Sequence, residues 1–490
     1  MSAAALRRLL ALALTGILVA VLLVIAALLY GWSQFAESLP ELDGWHLEAP
    51  ASEFTAQLEG PDFTFDDYLS LEDDIFGELA ALEAGPWRST AIGPINRFNP
   101  DSISHPDKHG DRNWNRSLLR EASEPKGGVL MIHGLSDSPY SLRGMSQRLH
   151  QEGYTVLLLR VPGHGTCPGA LARVEWKDWA AAVRVAARDL RARLPDRAPF
   201  VVAGFSNGGA LTVHYSATAL LDESSPVPDA LLLFSPMIGI SPLAEITRYH
   251  NWIAGISGDK RAHWSAVNAA IDPYKYSSWP MNASVQAFNM TRETEEAIAR
   301  LNRDGRMDDF PRVFSAVSAI DDTVDISELV TRLYRRLDDE GSELLIFDAN
   351  RSTWTENLLK LDYERSLETS LKSASRAYTT TLVSNRQTKT SRLQEWRHSS
   401  SEVTKRDLDL QWPSGLFSLS HSSIPFPADD PLYGANPEGT LPLPLGALEL
   451  RGESGVLRIS DGQILRLRHN PFYPYLEERV IDWLASPIGE

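Results

Sequence analysis

Val201-Val202-Ala203-Gly204-Phe205-Ser206-Asn207-Gly208-Gly209 is the stretch on which the reading of this chain turns. An apolar run ends in Gly-x-Ser-x-Gly, and a helical pattern follows it. A serine on a tight strand-to-helix turn has its hydroxyl pushed clear of the sheet. Glycines two before and two after it let the backbone turn without Cβ clashes. The same turn aims backbone N–H groups of the new helix at the place where an oxyanion would form. Alone the pattern is weak, because a glycine-rich turn in some other α/β protein reads the same way.

Outward from this turn, apolar runs alternate with helical patterns. Val129–Ile132, Val156–Leu159, Phe200–Val202, Ala230–Phe234, Val313–Ala319 and Leu344–Phe347 read as short buried strands, the last closing the series. Between them lie helical faces through Leu142, Met145 and Leu149, through Trp176 to Leu194, through Leu211 and Tyr215, and through Leu329, Leu333 and Leu337. Near-continuous apolar strands separated by helices indicate an α/β fold, a mostly parallel sheet covered by helices on both faces. Two insertions break the rhythm. Residues 237–309 read as a mostly helical cap, placed where α/β proteins put contacts to their ligands. Residues 350–410 are polar, and Tyr378–Val383 and Val403–Leu410 within them are expected to be added antiparallel strands.

Composition bounds the rest. The 490 residues carry a net charge of −17 and no basic stripe, which argues against a nucleic-acid binder. The single cysteine, Cys167, excludes an intrachain disulfide framework and a cysteine metal cluster, and reads as a small buried residue. Arg7 and Arg8 precede the uncharged run Leu9–Tyr30, long enough to cross a bilayer, and Tyr30, Trp32 and Phe35 fall where an aromatic belt would sit. No Lys or Arg occurs from Gly31 to Trp87, so the positive-inside rule puts residues 1–8 in the cytoplasm and the chain after residue 31 outside the cytoplasmic membrane. A cleaved signal peptide is the competing reading. It would need an unusually long apolar core, and no clear cleavage site follows. The division expected is therefore a 9–30 anchor, a 31–125 lead-in and a 126–490 globular domain. Within the lead-in, Tyr68, Leu71, Ile75, Phe76, Leu79 and Leu82 define an amphipathic helix whose start, Thr64 and Asp67, resembles a capping box. Its polar side is acidic, so its apolar face is expected to pack on protein rather than lipid.

An activated serine needs a base, a carboxylate orienting that base, and oxyanion donors. In one recurring arrangement the chain order is Ser, acid, His. The acid belongs just after a strand beyond the cap, where the Val313 run ends in Asp321-Asp322-Thr323-Val324. Asp321 comes first off the strand; Asp322 is the alternative. Three histidines follow: His398 in a polar stretch, His421 leading into a Pro-rich loop, and His469 before the closing helix. His421 is the preferred base and His469 the alternative. Asn207 and Leu135 are the candidate backbone donors, with Gly134 allowing close approach and His133 reading as a structural hydrogen-bonder. His133 and His164 lack the carboxylate or cysteine spacing of a zinc site, so no metal or cofactor is expected.

Taken together, His133-Gly134-Leu135-Ser136-Asp137-Ser138-Pro139, Arg160-Val161-Pro162-Gly163-His164-Gly165 and Gly204-Phe205-Ser206-Asn207-Gly208-Gly209 resemble the α/β-hydrolase superfamily. Within it they are similar to serine hydrolases of the lysophospholipase and monoacylglycerol lipase type. Residues 418–434 resemble bacterial membrane-anchored members, in which the histidine falls where His421 does. The resemblance implies hydrolysis of carboxylic esters, lipid-like ones among them, through an acyl-Ser206 intermediate with His421 as base and then acid. An acyltransferase or thioesterase would use the same residues, and an inactive binding scaffold would keep the fold. The chain departs from the family pattern in the long insertion before His421 and in residues 434–470 before the last helix.

Overall fold

The computed structural model describes residues 3–222, 224–239, 254–255, 258–321, 323–337, 341–352, 378–387, 390–435, 445 and 467–486. In chain order the strands are β1 (Leu118–Arg120), β2 (Gly127–Ile132), β3 (Tyr154–Leu159), β4 (Phe200–Phe205), β5 (Ala230–Phe234), β6 (Trp264–Ala266), β7 (Trp279–Pro280), β8 (Arg312–Ser318), β9 (Glu343–Phe347), β10 (Thr379–Asn385), β11 (Arg392–His398) and β12 (Val403–Gln411). Ten of them form one sheet in the order β1-β3-β2-β4-β5-β8-β9-β10-β11-β12, and β6 and β7 make a separate ribbon. From β3 to β10 every neighbouring pair is parallel. β2, β4, β5, β8 and β9 are buried along their whole length. Two apolar clusters, one on each face, account for that burial. This is the mostly parallel, doubly covered sheet expected from the apolar runs.

The sheet does not close at Leu344–Phe347. β10, expected as an antiparallel addition, pairs parallel with β9, and β11 and β12 then add antiparallel. Within this polar segment Thr380 and Thr381 are fully buried, and Thr381 donates to the Glu343 carboxylate at 2.7 Å. β12 ends the sheet as an exposed edge carrying Lys405, Arg406, Asp407 and Asp409, charges that discourage pairing with another chain. The cap region contains strand as well as helix. Among its described residues are the β6–β7 ribbon and one long helix, Met281–Arg303. Residues 240–253 and 256–257 lie outside the described residues. The long helix packs beside Asn207–Leu221, where Thr294 hydrogen-bonds His214 at 3.2 Å.

Ahead of the sheet, Ala3–Ser38 is one 36-residue helix, of which Leu12–Ser38 is apolar and long enough to cross a membrane, with mean hydropathy 3.0. Its last turn touches the cap region. Ala36 is buried against Ala254 and Ala262, and Arg261 donates to the Leu39 carbonyl at 3.3 Å. The helix Phe65–Ala84 begins with the capping box Thr64–Asp67 and buries Tyr68, Ile75, Phe76 and Leu79 on the protein. What docks it is charge as well as apolar surface. Arg160, fully buried at the end of β3, donates to Glu72 at 3.2 Å and to Glu53 at 2.9 and 3.1 Å. The Tyr68 hydroxyl donates to the Arg160 carbonyl at 2.6 Å. Arg160→Met would leave two carboxylates without their cation, so unfolding stability should fall by about 3–5 kcal/mol in urea titration. A loss under about 1 kcal/mol would mean that water or another group already compensates them.

Candidate active site

The serine turn is built by backbones meeting without side chains between them. A Cβ on Gly204 would lie 2.2 Å from the Gly208 carbonyl oxygen, and one on Gly208 would lie 2.0 Å from that of Ile132. Ser206 itself takes φ 54°, ψ −116°, a conformation that costs a non-glycine residue energy and persists because its surroundings impose it. Its N–H donates to the Phe234 carbonyl at 3.0 Å, and its carbonyl accepts from Met237 and Ala210.

The Ser206 hydroxyl lies 3.0 Å from His421 Nε2, and His421 Nδ1 lies 2.7 Å from Asp321 Oδ2. Against a carboxylate Nδ1 carries the proton, which leaves the Nε2 lone pair facing the hydroxyl. The other Asp321 oxygen accepts from the N–H groups of Thr323 and Val324 at 2.9 and 3.1 Å, fixing the carboxylate plane. All three side chains are nearly sealed from solvent, and the Phe205 ring lies against that of His421. Among the described residues no acceptor takes up the N–H groups of Leu135 and Asn207. Leu135 follows β2, and Asn207 opens the helix after the serine.

His469 is placed elsewhere, with its Nδ1 3.3 Å from the Tyr433 carbonyl. His398 sits on β11, near the sheet edge. Asp322 lies outside the described residues. Asp348 is held by Arg351 and Ser384 in the turn after β9. Cys167 is buried, and burial pushes its thiol up to about 12, far from a reactive thiolate.

His133 and His164 line the two loops beside the serine, their rings 5.0 Å apart. Val161 donates its N–H to His133 Nε2 at 3.0 Å, so His133 Nδ1 carries the proton and donates to the Gly134 carbonyl at 2.9 Å. His133 thus ties the loop after β2 to the loop after β3. Burial, more than any neighbour, pushes both histidines down to about 3. No group of three or more potential metal ligands occurs among the described residues.

The sheet order and the serine turn define an α/β-hydrolase fold, and residues 123–336 match the family model described as serine aminopeptidase, S33. The matched segment contains Ser206 and Asp321 and ends before His421. The domain is similar to serine hydrolases of the monoacylglycerol lipase type. Over 176 residues the chain is 29% identical to thermostable monoacylglycerol lipase from Bacillus sp. (strain H-257), covering 36% of this chain and 65% of that protein, just under two thirds of its length. Among solved structures, one of the metagenome-derived lipolytic enzymes LipS and LipT aligns at 22% identity and TM-score 0.38, over 53% of this chain and 98% of the other. A monoacylglycerol lipase from Paleococcus ferrophilus aligns at 16% identity and TM-score 0.36, over 53% and 99%.

The buried histidines set a pH dependence. Unfolded, they titrate near 6.5; folded, they stay neutral to about pH 3. Between those values the unfolded chain binds protons that the folded chain does not. Stability therefore falls as pH drops through this window, by about 1.4 kcal/mol per pH unit for each such histidine. Urea midpoints at pH 7, 6 and 5 should show the fall, and His164→Gln should make it shallower. An unchanged slope in that variant would mean that His164 is charged in the fold.

Proposed function

We propose that the chain is a membrane-anchored serine hydrolase that cleaves carboxylic esters. The observation carrying this reading is His421 bridging Ser206 and Asp321 at hydrogen-bond distance. Ser206 Oγ attacks the ester carbonyl carbon as its proton passes to His421 Nε2. The carbonyl oxygen, now an oxyanion, accepts from the Leu135 and Asn207 N–H groups. Collapse expels the alcohol, which leaves with the proton from His421, and an acyl group remains on Ser206. Water, deprotonated by His421, attacks the acyl carbon, and the bond to Ser206 Oγ breaks as His421 returns the proton to it, releasing the acid and the free serine. Asp321 holds the imidazole tautomer and stabilises its positive charge. The similarity to monoacylglycerol lipase of Bacillus sp. favours acyl esters of lipid character.

A fluorophosphonate probe together with turnover of a p-nitrophenyl ester tests this directly. Ser206→Ala should abolish both signals. His421→Ala should lower turnover by about four orders of magnitude or more, judged from triad deletions in other serine hydrolases. His469→Ala, which removes a contact to a loop carbonyl, should leave the rate within a small factor. Labelling that survives Ser206→Ala would sink the proposal.

Residues 9–30 serve as a single-pass anchor in the cytoplasmic membrane, with residues 1–8 inside and the 31–125 lead-in and 126–490 hydrolase domain outside. Support comes from the apolar helix Leu12–Ser38, whose apolar window is wholly exposed in the protein, and from the charge asymmetry around it. The packing of Ala36 on Ala254 and Ala262 would hold the domain close to the bilayer. A topology reporter fused after residue 60 should be active only on the periplasmic side; activity in the cytoplasm would reverse the orientation.

A further inference from the structure

We propose that Lys275 is a positioning residue for the loop that carries the Leu135 N–H, holding that loop and cancelling a buried carboxylate charge beside it. The inference rests on the reading of Ser206 as nucleophile and of Leu135 as an oxyanion donor.

After β2 the chain reverses through His133-Gly134-Leu135-Ser136-Asp137. Ser136 takes φ 64°, and the Asp137 N–H returns to the Gly134 carbonyl at 3.2 Å. The Asp137 side chain folds back over the turn, so that a Cβ on Gly134 would lie 2.9 Å from its Oδ2. A carboxylate thus sits against the backbone immediately before Leu135, and Asp137 is only 5% exposed. Left bare there, it would be costly to bury. Its field would also oppose the negative charge that grows on a bound carbonyl oxygen at the Leu135 N–H.

Lys275 Nζ lies 2.9 Å from Asp137 Oδ1. The next residue, Tyr276, donates its N–H to the Ser136 carbonyl at 2.9 Å. Two consecutive residues of the cap region therefore grip two consecutive residues of the loop, one by charge and one by backbone. The gripping segment is itself immobilised. Asp272 is ion-paired with Arg468 at 2.8 Å and accepts from the Tyr433 hydroxyl and from the Tyr274 and Lys275 N–H groups. Tyr274 stacks on Tyr140, just beyond the loop, with ring centroids 4.4 Å apart. Arg468 is close enough to feel the Asp137 charge, but its bond is to Asp272. Among the described residues Lys275 alone pairs with Asp137.

The test uses the full chain in detergent and a soluble p-nitrophenyl ester. Lys275→Met should lower kcat by about ten- to a hundredfold, with KM within about twofold, because the lost interaction acts on charge formed in the transition state. Lys275→Arg should retain most of the rate. Asp137→Asn combined with Lys275→Met removes the uncompensated carboxylate and should regain at least about fivefold in kcat over Lys275→Met, although it cannot rebuild the ion pair. A Lys275→Met rate within twofold of the unmodified chain, or a double variant no faster than the single one, would overturn the proposal. Should Lys275→Met fail to fold by circular dichroism, the folded double variant decides. A kcat within about tenfold of the unmodified chain supports charge cancellation, and a larger loss overturns it. If the unmodified chain shows no turnover, it is the nucleophile reading that fails, which this comparison keeps separate.

Discussion

The rest of the site depends on one close approach of backbones. Gly204, Gly208 and the Ile132 carbonyl meet with no room for a single Cβ between them. Because of that contact, the end of β2, the end of β4 and the first turn of Asn207–Leu221 share one small volume. Two consequences follow together. Ser206 is forced into a strained turn with its hydroxyl outward. The Ile132 and His133 carbonyls are also pressed against the start of the serine's helix at Gly208. The Ser206 turn and the placement of the residues after β2 are thus products of the same packing constraint.

Around this point, polar groups do work that apolar packing could not. A parallel sheet ends in loops whose backbone groups need partners. His133 supplies two of them, accepting from Val161 and donating to Gly134, and it can do so only while neutral. Burial keeps it neutral. Arg160 goes further. Its guanidinium holds Glu53, Glu72 and the His164 carbonyl at once, so two separate parts of the N-terminal region are set in register against the loop after β3. Desolvation offsets much of the gain from such a cluster. What it adds is geometric: a planar fork of donors accepts few alternative arrangements.

Much of this was legible in the sequence. Apolar strand runs and helical periodicity define the parallel sheet, and the Gly-x-Ser-x-Gly turn and the Asp321 and His421 positions follow from local pattern plus chain order. What stayed hidden depends on partners distant in sequence. β10 was legible as a strand but its direction was not, because its parallel pairing with β9 depends on a partner more than thirty residues away. β11 lacks the alternation of a half-buried strand, and only β10 and β12 on either side make it one. Asp137 stands in plain view within His133–Pro139, but nothing nearby shows that Lys275 compensates it.

The two long insertions also explain why distance along the chain misleads. A hundred residues separate Asp321 from His421, yet the chain leaves and rejoins the sheet at neighbouring points. Asn350, just beyond β9, donates its N–H to the Phe417 carbonyl at 2.7 Å and its side chain to the Leu416 carbonyl at 2.8 Å. The segment leading to His421 is therefore pinned at the end of β9, where a short loop would have put it. The second excursion behaves alike, since Asn470 donates to the Phe426 carbonyl at 2.8 Å and bridges Pro427, bringing the chain before the closing helix back to the loop that follows the histidine. Loop-closure entropy grows only with the logarithm of length, so long excursions cost little once both ends are fixed. The position of His421 is governed by those fixed ends.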